Sequence, residues 1–369
     1  MTSRHRQPVR PTARLVTISY KALSAVAVAT VALLAAGALA ACGGDTAAPS
    51  EVVLVTHDSF AVSAAVKEAF EAESGLTLRV LQAGDANEAV NRALLTAGDP
   101  QGDVLFGIDD NLLSRALDAS LFDAYTSPEL AAVDEAFLPP DDAVTPIDHG
   151  EVCLNVDRGW FASHGLGPPA TLDDLADPRY RGLLVVENPA TSSPGLAFLL
   201  STIARYGDPG WQDYWERLRK NDALVVDGWE AAYTQQFSGA AGSPGKRPIV
   251  VSYATSPAAE VIFAGRPLDE APTAAVEDGC FRQVEYAGVL RGAANPDGAR
   301  ELIDFMLAER FQADVPGSMF VYPVRKGVPL PEAFQRFAIV PREPASFPPD
   351  VIAADRDGWI DRWTEIVLR

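Results

Sequence analysis

Residues 52–81 read VVLVTHDSFAVSAAVKEAFEAESGLTLRVL, and the apolar pattern of that stretch decides the fold class. Val52–Val55 is a short apolar, mostly β-branched run, the signature of a buried strand. Val62, Ala65, Val66, Ala69 and Phe70 then recur at helical spacing and stop before Gly75, which suits a helix C-terminus. Leu76–Leu81 reads as a second strand. Asp85 or Asn87 caps a helix carrying Val90, Leu94 and Leu95. Val104–Phe106 is a third strand, followed by a helix with Leu112, Leu113 and Leu117. Strand and helix alternating in this way predict a parallel α/β layer.

The alternation returns later. Leu183–Val186, Leu224–Val226 and Ile249–Ser252 read as strands, with helices expected over 194–206, 210–220, 229–238, 257–264 and 298–311. Gly207 and Gly265 stand where helix C-caps belong. Two α/β halves are either independent domains or the lobes of one cleft. Gly150–Asn155 and Gln283–Leu290 are extended segments able to cross between the halves as a hinge.

The N-terminus is different in kind. Arg4, Arg6, Arg10, Arg14 and Lys21 precede an apolar run from Ala22 to Ala41, which ends Leu39-Ala40-Ala41-Cys42. A basic start, an apolar middle and small residues at the end make an export signal over residues 1–41; a membrane-spanning anchor is the other reading. Leu-Ala-Ala-Cys resembles the bacterial lipobox, in which the cysteine is acylated, so Cys42 is the expected lipidation site on the outer face of the cell membrane. Residues 42–50 then read as a flexible tether. Without the signal, 25 basic residues face 50 acidic ones, a formal charge of −25. Such a surface repels nucleic acid and suits a cationic ligand. Cys153 and Cys280 remain as an even pair in an exported chain, which suggests a disulfide over two buried free thiols.

Three places carry candidate binding chemistry. Thr191-Ser192-Ser193-Pro194-Gly195 and Tyr253-Ala254-Thr255-Ser256-Pro257 each follow a strand and open a helix, with Ser before Pro as the expected cap. Each is an ordinary cap alone; together they suggest a pocket for phosphate or sulfate at two helix N-termini. Trp229 follows Gly228 at a strand end, where its face can stack on a heteroaromatic ring or a cation, whereas Trp211, Trp215 and Trp363 read as core. Asp85 is a helix cap or a ligand group, and Asp109 and Asn111 are similar but weaker candidates. The four histidines, His5, His57, His149 and His164, are scattered, and no nucleophile elbow, metal-ligand spacing or glycine-rich nucleotide loop is present. The expectation is a binding protein with no metal and no cofactor, and not an enzyme.

Eight segments, in order, resemble the thiamine-binding periplasmic protein family. They are His57-Asp58-Ser59-Phe60, Asp85 with Asn91-Arg92, Gly107 through Leu113, Pro189 through Leu196, Gly228 through Tyr233, Ser252 through Pro257, Gln283-Val284-Glu285 and Tyr322-Pro323-Val324. The resemblance spans about Val52 to Leu368. It implies an α/β, two-lobed periplasmic-binding fold of type II-like form, with hinge strands and a cleft between lobes. Lobe 1 is expected over 51–147 and 284–325, lobe 2 over 148–283 and 326–369. It also implies that Asp85, Ala86, Thr191, Ser192, Trp229, Tyr253, Ala254, Thr255 and Ser256 line the site, with His57 and Phe320 beside them. The ligand implied is thiamine, thiamine monophosphate or thiamine diphosphate, delivered by a monomer to an ABC transporter permease. Ferric ion, an oxyanion or a polyamine are the alternative ligands, and an anchored phosphoesterase the alternative class. The chain departs from the family at His57, where Tyr is frequent, at Ala86, where Gly is frequent, and at Phe320, where a Trp is found.

Overall fold

The structure, a computed structural model, describes residues 50–138 and 142–369. The expected signal over 1–41, Cys42 and all of the tether but Ser50 lie outside the described residues. No helix among the described residues is long and apolar enough to cross a membrane.

Among the described residues ten strands form one sheet: β1 (Glu51–Thr56), β2 (Thr77–Gln82), β3 (Val104–Asp109), β4 (Phe122–Asp123), β5 (Thr145–Asp157), β6 (Leu184–Glu187), β7 (Leu224–Val226), β8 (Ile249–Tyr253), β9 (Thr273–Leu290) and β10 (Tyr322–Pro323). Their order is β2-β1-β3-β9-β5-β8-β6-β7, with β4 on β9 and β10 on β5. At one end β2, β1 and β3 run parallel, and at the other β8, β6 and β7 do. Between them β5 and β9 pair antiparallel along nearly their whole length, from Thr145↔Ala287 to Asp157↔Thr273. The two extended segments expected to cross between the halves are therefore adjacent strands. A bulge between Val152 and Leu154 brings Cys153 opposite Cys280, and the two are bonded, Cα to Cα 4.3 Å. The bond spans 127 residues, a closure worth about 4–5 kcal/mol in the chain-entropy account.

The apolar stripes bury as expected. Phe70 of the helix Ala64–Ser74 packs with Leu54, Phe106, Met306 and Leu307 on one side of the hinge strands. On the other, the helices Ser193–Tyr206, Gly210–Lys220 and Pro349–Val367 bring together Phe198, Trp211, Trp215 and Trp363. All three of these tryptophans are fully buried. Trp215 lies edge-on to both Phe198 and Trp363 and donates its Nε1–H to Thr202 Oγ1.

Two helices differ from expectation. The segment read as a helix over 229–238 forms a π-helix, Ala231–Gln236. Its wider turn lets Trp229 stack on Tyr233, ring centroids 5.0 Å apart. Single π turns are frequent at functional sites. The helix expected over 298–311 breaks at Ala308, whose backbone is extended, into Pro296–Leu307 and Glu309–Ser318. Gln312 offsets the break by donating to the Met306 and Ile147 carbonyls.

Candidate ligand-binding site

The parallel strands of both ends point their carboxyl termini at one seam, where open α/β sheets bind ligands. Thr56 of β1 leads to His57, Gln82 of β2 to Asp85, Val226 of β7 to Trp229, and Tyr253 of β8 to Ser256. Glu285 of β9 and residues 318–321 complete the wall of a cavity of about 450 Å3. That volume falls in the range of small-molecule sites.

Asp85 caps the helix Ala86–Leu95, and its carboxylate does more than cap. Oδ1 accepts from the backbone N–H of Ala86 at 2.6 Å and of Ser193 at 3.2 Å, and Oδ2 accepts from Trp229 N–H at 3.0 Å. One side chain therefore joins the β2 end of the sheet to the helix and the turn that follow β6 and β7. Burial raises Asp85 to about 6, opposed by these three N–H groups. Gly228 permits the approach, since a Cβ there would stand 3.0 Å from Asp85 Oδ2. Asn87 adds a second tie, Nδ2 to the Pro189 carbonyl at 2.9 Å.

The hydroxyl-bearing turns are used differently from the expectation. The cap of the first helix is Ser192, not Ser193: its Oγ accepts from Gly195 N–H, and the side chain is fully buried. Thr191 donates to the Asp227 carbonyl. Ser193 and Pro194 face the cavity instead. Every N–H in the first turn is taken: Ser193 by Asp85, Gly195 and Leu196 by Ser192, while Pro194 has none. This helix end, expected to hold phosphate, is filled by the protein's own carboxylate. At the second turn Ala254 and Thr255 are fully buried behind the wall, and Thr255 makes no side-chain cap. Ser256 reaches the cavity but exchanges a hydrogen bond with Ser252 Oγ at 2.9 Å and accepts from Tyr253 N–H.

Asp85, Ala86, Trp229, Tyr253, Ser256, His57 and Phe320 share the cavity. Trp229 is half-buried, stacked on Tyr233 and anchored by its Nε1–H to Ser252 Oγ at 2.9 Å. Tyr253 stands at 60° to it, 6.4 Å between centroids, and donates its hydroxyl to Gln283. Phe320, across the mouth, holds φ at +60° and packs on Phe263. A left-handed backbone at a bulky residue costs about 1–3 kcal/mol and recurs at ligand clamps. These rings form a flat-sided slot.

The remaining wall is acidic. Asp85, Glu230, Glu260 and Glu285 line the cavity, and among the described residues no Lys or Arg does. Glu260 accepts from Tyr233 OH and Ala241 N–H, both at 2.8 Å, and its burial raises it. His57 is lowered to about 4 by burial and is neutral, so its Nε2, 3.8 Å from Glu285 Oε2, makes no ion pair. Gly107 admits the imidazole, because a Cβ there would lie 2.2 Å from His57 Cδ2. Asp109, at the end of β3, is fully buried and accepts from Leu112 N–H, Asn111, Gln283 and Ser193, while Asn111 is buried beside it; neither reaches the cavity. Among the described residues no group of three or more His, Cys, Asp or Glu could hold a metal ion.

Residues 99–348 match the family described as bacterial extracellular solute-binding protein. The chain belongs to that family. It is 30% identical over 336 residues to the thiamine-binding periplasmic protein of Salmonella typhimurium, covering 89% of this chain and 97% of that one. It is 28% identical over 253 residues to iron uptake protein A2 of Synechocystis, covering 66% and 71%. A solved periplasmic thiamin binding protein superposes with a TM-score of 0.77 at 29% identity, over 88% of this chain and 98% of that one. Iron-bound HitA from Pseudomonas aeruginosa shares the fold at a TM-score of 0.68 and 19% identity, over 86% and 99%. The architecture is the two-lobed, type II-like periplasmic-binding fold, as the resemblance implies. This solute-binding protein works outside the cytoplasm.

Sequence reasoning read Ser193 as a cap, placed Tyr233 and Glu285 in recognisable segments without assigning them a role, and passed over Glu260. Glu260 carried a usable signal, being the one acid in the apolar helix Ser256–Phe263.

Proposed function

We propose that this solute-binding protein captures thiamine and delivers it to an ABC importer, held at the membrane by acylated Cys42 as a monomer. The observation that carries the reading is a slot walled by Trp229, Tyr233 and Tyr253, edged by four carboxylates and no cationic side chain but neutral His57. Thiamine presents a flat aminopyrimidine and a permanently charged thiazolium, which suit stacking and negative surroundings. The similarity to thiamine-binding relatives over most of the chain supports the same ligand. In this reading the lobes are 51–147 with 284–325 and 148–283 with 326–369, and they close about β5 and β9.

Isothermal titration with thiamine, its monophosphate and its diphosphate tests the reading. Saturable heat with thiamine is expected, and no heat with any of the three overturns it. Binding of the phosphorylated forms requires a new anion site, because Asp85 and Ser192 already take the N–H groups at the first helix end. Binding is reversible and leaves the ligand intact; sustained release of phosphate from thiamine monophosphate would contradict this.

Ferric ion is the second reading, favoured by the similarity to iron uptake protein A2. The cavity tyrosines are committed elsewhere, Tyr233 to Glu260 and Tyr253 to Gln283. Iron binding would require both to move, and titration with ferric citrate distinguishes the two ligands.

A further inference from the structure

Three acids stand in one row across the hinge. Asp109 of β3 is in register with Glu285 of β9, and Glu285 with Asp148 of β5. Side chains directly opposite on neighbouring strands share a face, and like charges in that relation destabilise a sheet. Asp109 is compensated by four hydrogen-bond donors, as described above. Asp148 is 1% exposed, and neither of its oxygens meets an N–H or hydroxyl donor. Glu285 opens onto the cavity, and its one close polar neighbour there is the neutral imidazole of His57.

The other cavity acids are less free. Both oxygens of Asp85 accept backbone N–H groups, and both of Glu260 are occupied. Glu230 sits half-buried at the rim, where water screens it. Glu285 is thus a largely buried acid that faces the cavity beside Asp148, with no N–H or hydroxyl donor on its carboxyl.

We infer that Glu285, backed by Asp148 across the hinge ladder, is the carboxyl that recognises the ligand's positive charge, and that capture releases the proton the two acids share. The inference rests on the thiamine reading of the same cavity. In the empty site one proton lies between Asp148 and Glu285 and supplies the donor that both lack. A bound cation stabilises the ionised form, and the proton leaves to solvent as the carboxylate–cation contact forms. Burial raises Asp148 to about 7, and burial followed by the charge of Asp148 raises Glu285 well above the carboxylate range. The groups facing Glu285 are His57 beyond β1, Asp109 on β3, Asp148 on β5 and Tyr253 on β8, with Asp85 beyond them. Of these, burial raises Asp85 to about 6, where three N–H donors hold it, and burial raises Asp109 as well.

The test is titration of the full-length protein with thiamine from pH 5.5 to 8.5, in two buffers of different ionisation enthalpy. Wild-type affinity is expected to rise with pH, with up to one proton released per thiamine bound near pH 6–7. Glu285→Gln should weaken binding roughly tenfold to a hundredfold at pH 8 and flatten the pH dependence. Asp148→Asn removes the repulsion behind Glu285, so the rise should move to lower pH while affinity at pH 8 holds. Thermal denaturation of both variants checks that they fold. Glu285→Gln binding as tightly as wild type, or wild type exchanging no proton, overturns the inference while leaving the thiamine reading intact. No thiamine heat from wild type overturns that reading itself.

Discussion

Replacing Trp229 and Trp215 in parallel separates a ligand-binding indole from a structural one. Trp215 is buried between Phe198 and Trp363, and its Nε1–H is satisfied by Thr202. Truncating such a side chain removes its transfer energy and leaves a cavity, about 3–5 kcal/mol. For a domain of this size that corresponds to a fall in Tm of roughly 5–10 °C. Trp229 has one face on Tyr233 and the other edge on the cavity. Its loss removes one internal stack and the Ser252 hydrogen bond, roughly 1–2 kcal/mol of stability. It also removes the surface on which a cationic ring lies, worth about 2 kcal/mol or more in a desolvated site. Trp229→Ala should therefore weaken thiamine binding at least thirtyfold with a small change in Tm, and Trp215→Ala should do the reverse. Scanning calorimetry with isothermal titration on both variants decides it. Equal losses of affinity would refute the assignment of Trp229 to the site.

Asp85→Ala strands the N–H groups of Ala86, Ser193 and Trp229 and removes the carboxylate that ties the lobes, so small-angle scattering should show a more open molecule. An unchanged radius of gyration would show that Asp85 only caps its helix. Replacing Cys153 and Cys280 with Ser should cost about 2–5 kcal/mol, read as a lower denaturant midpoint that wild type reaches only under reductant. Equal midpoints would contradict a stabilising bridge. Asp148 is raised in the folded state to about 7, so the folded protein holds its proton more tightly than the unfolded chain, and stability falls as pH rises from about 4 through 7. Asp148→Asn should escape that fall, its Tm advantage growing from pH 5 to pH 8; a constant difference would show that Asp148 does not titrate there.

Most of the scaffold was legible because apolar periodicity and turn residues act locally. The strand–helix alternation from Val52 to Leu117, the crossing segments around Gly150 and Gln283, the buried Trp211, Trp215 and Trp363, and the cap at Asp85 all follow from such patterns. The finer site was not legible, for geometric reasons. Ser192 and Ser193 are adjacent, and one residue at a helix start turns a side chain by about 100°, which decides whether it caps the helix or meets the cavity. Ser and Thr at these turns satisfy backbone groups nearby, so their chemistry alone does not show which remain free. The π turn at Ala231–Gln236, which lets Trp229 stack on Tyr233, leaves no mark in the apolar spacing, since both rings also fit ordinary helical spacing. Glu285 reads in sequence only as one residue of an extended segment that crosses between the halves. Only the register of β9 against β3 and β5 shows that Asp109 and Asp148 flank it.

That register explains why the hinge is a place for recognition and a poor place for stability. A row of buried acids across the central strands works against the sheet that holds it, and each member needs a compensation. Asp109 has four donors, Asp148 has a shared proton, and Glu285 has only that proton and a neutral ring. The missing compensation for Glu285 is a positive charge delivered from the cavity. A ligand that supplies it binds the folded state alone, and at a hundred times its dissociation constant it adds about 2.7 kcal/mol of stability. On the proposed closure about β5 and β9, a cation bound at Glu285 engages the strands that join the lobes.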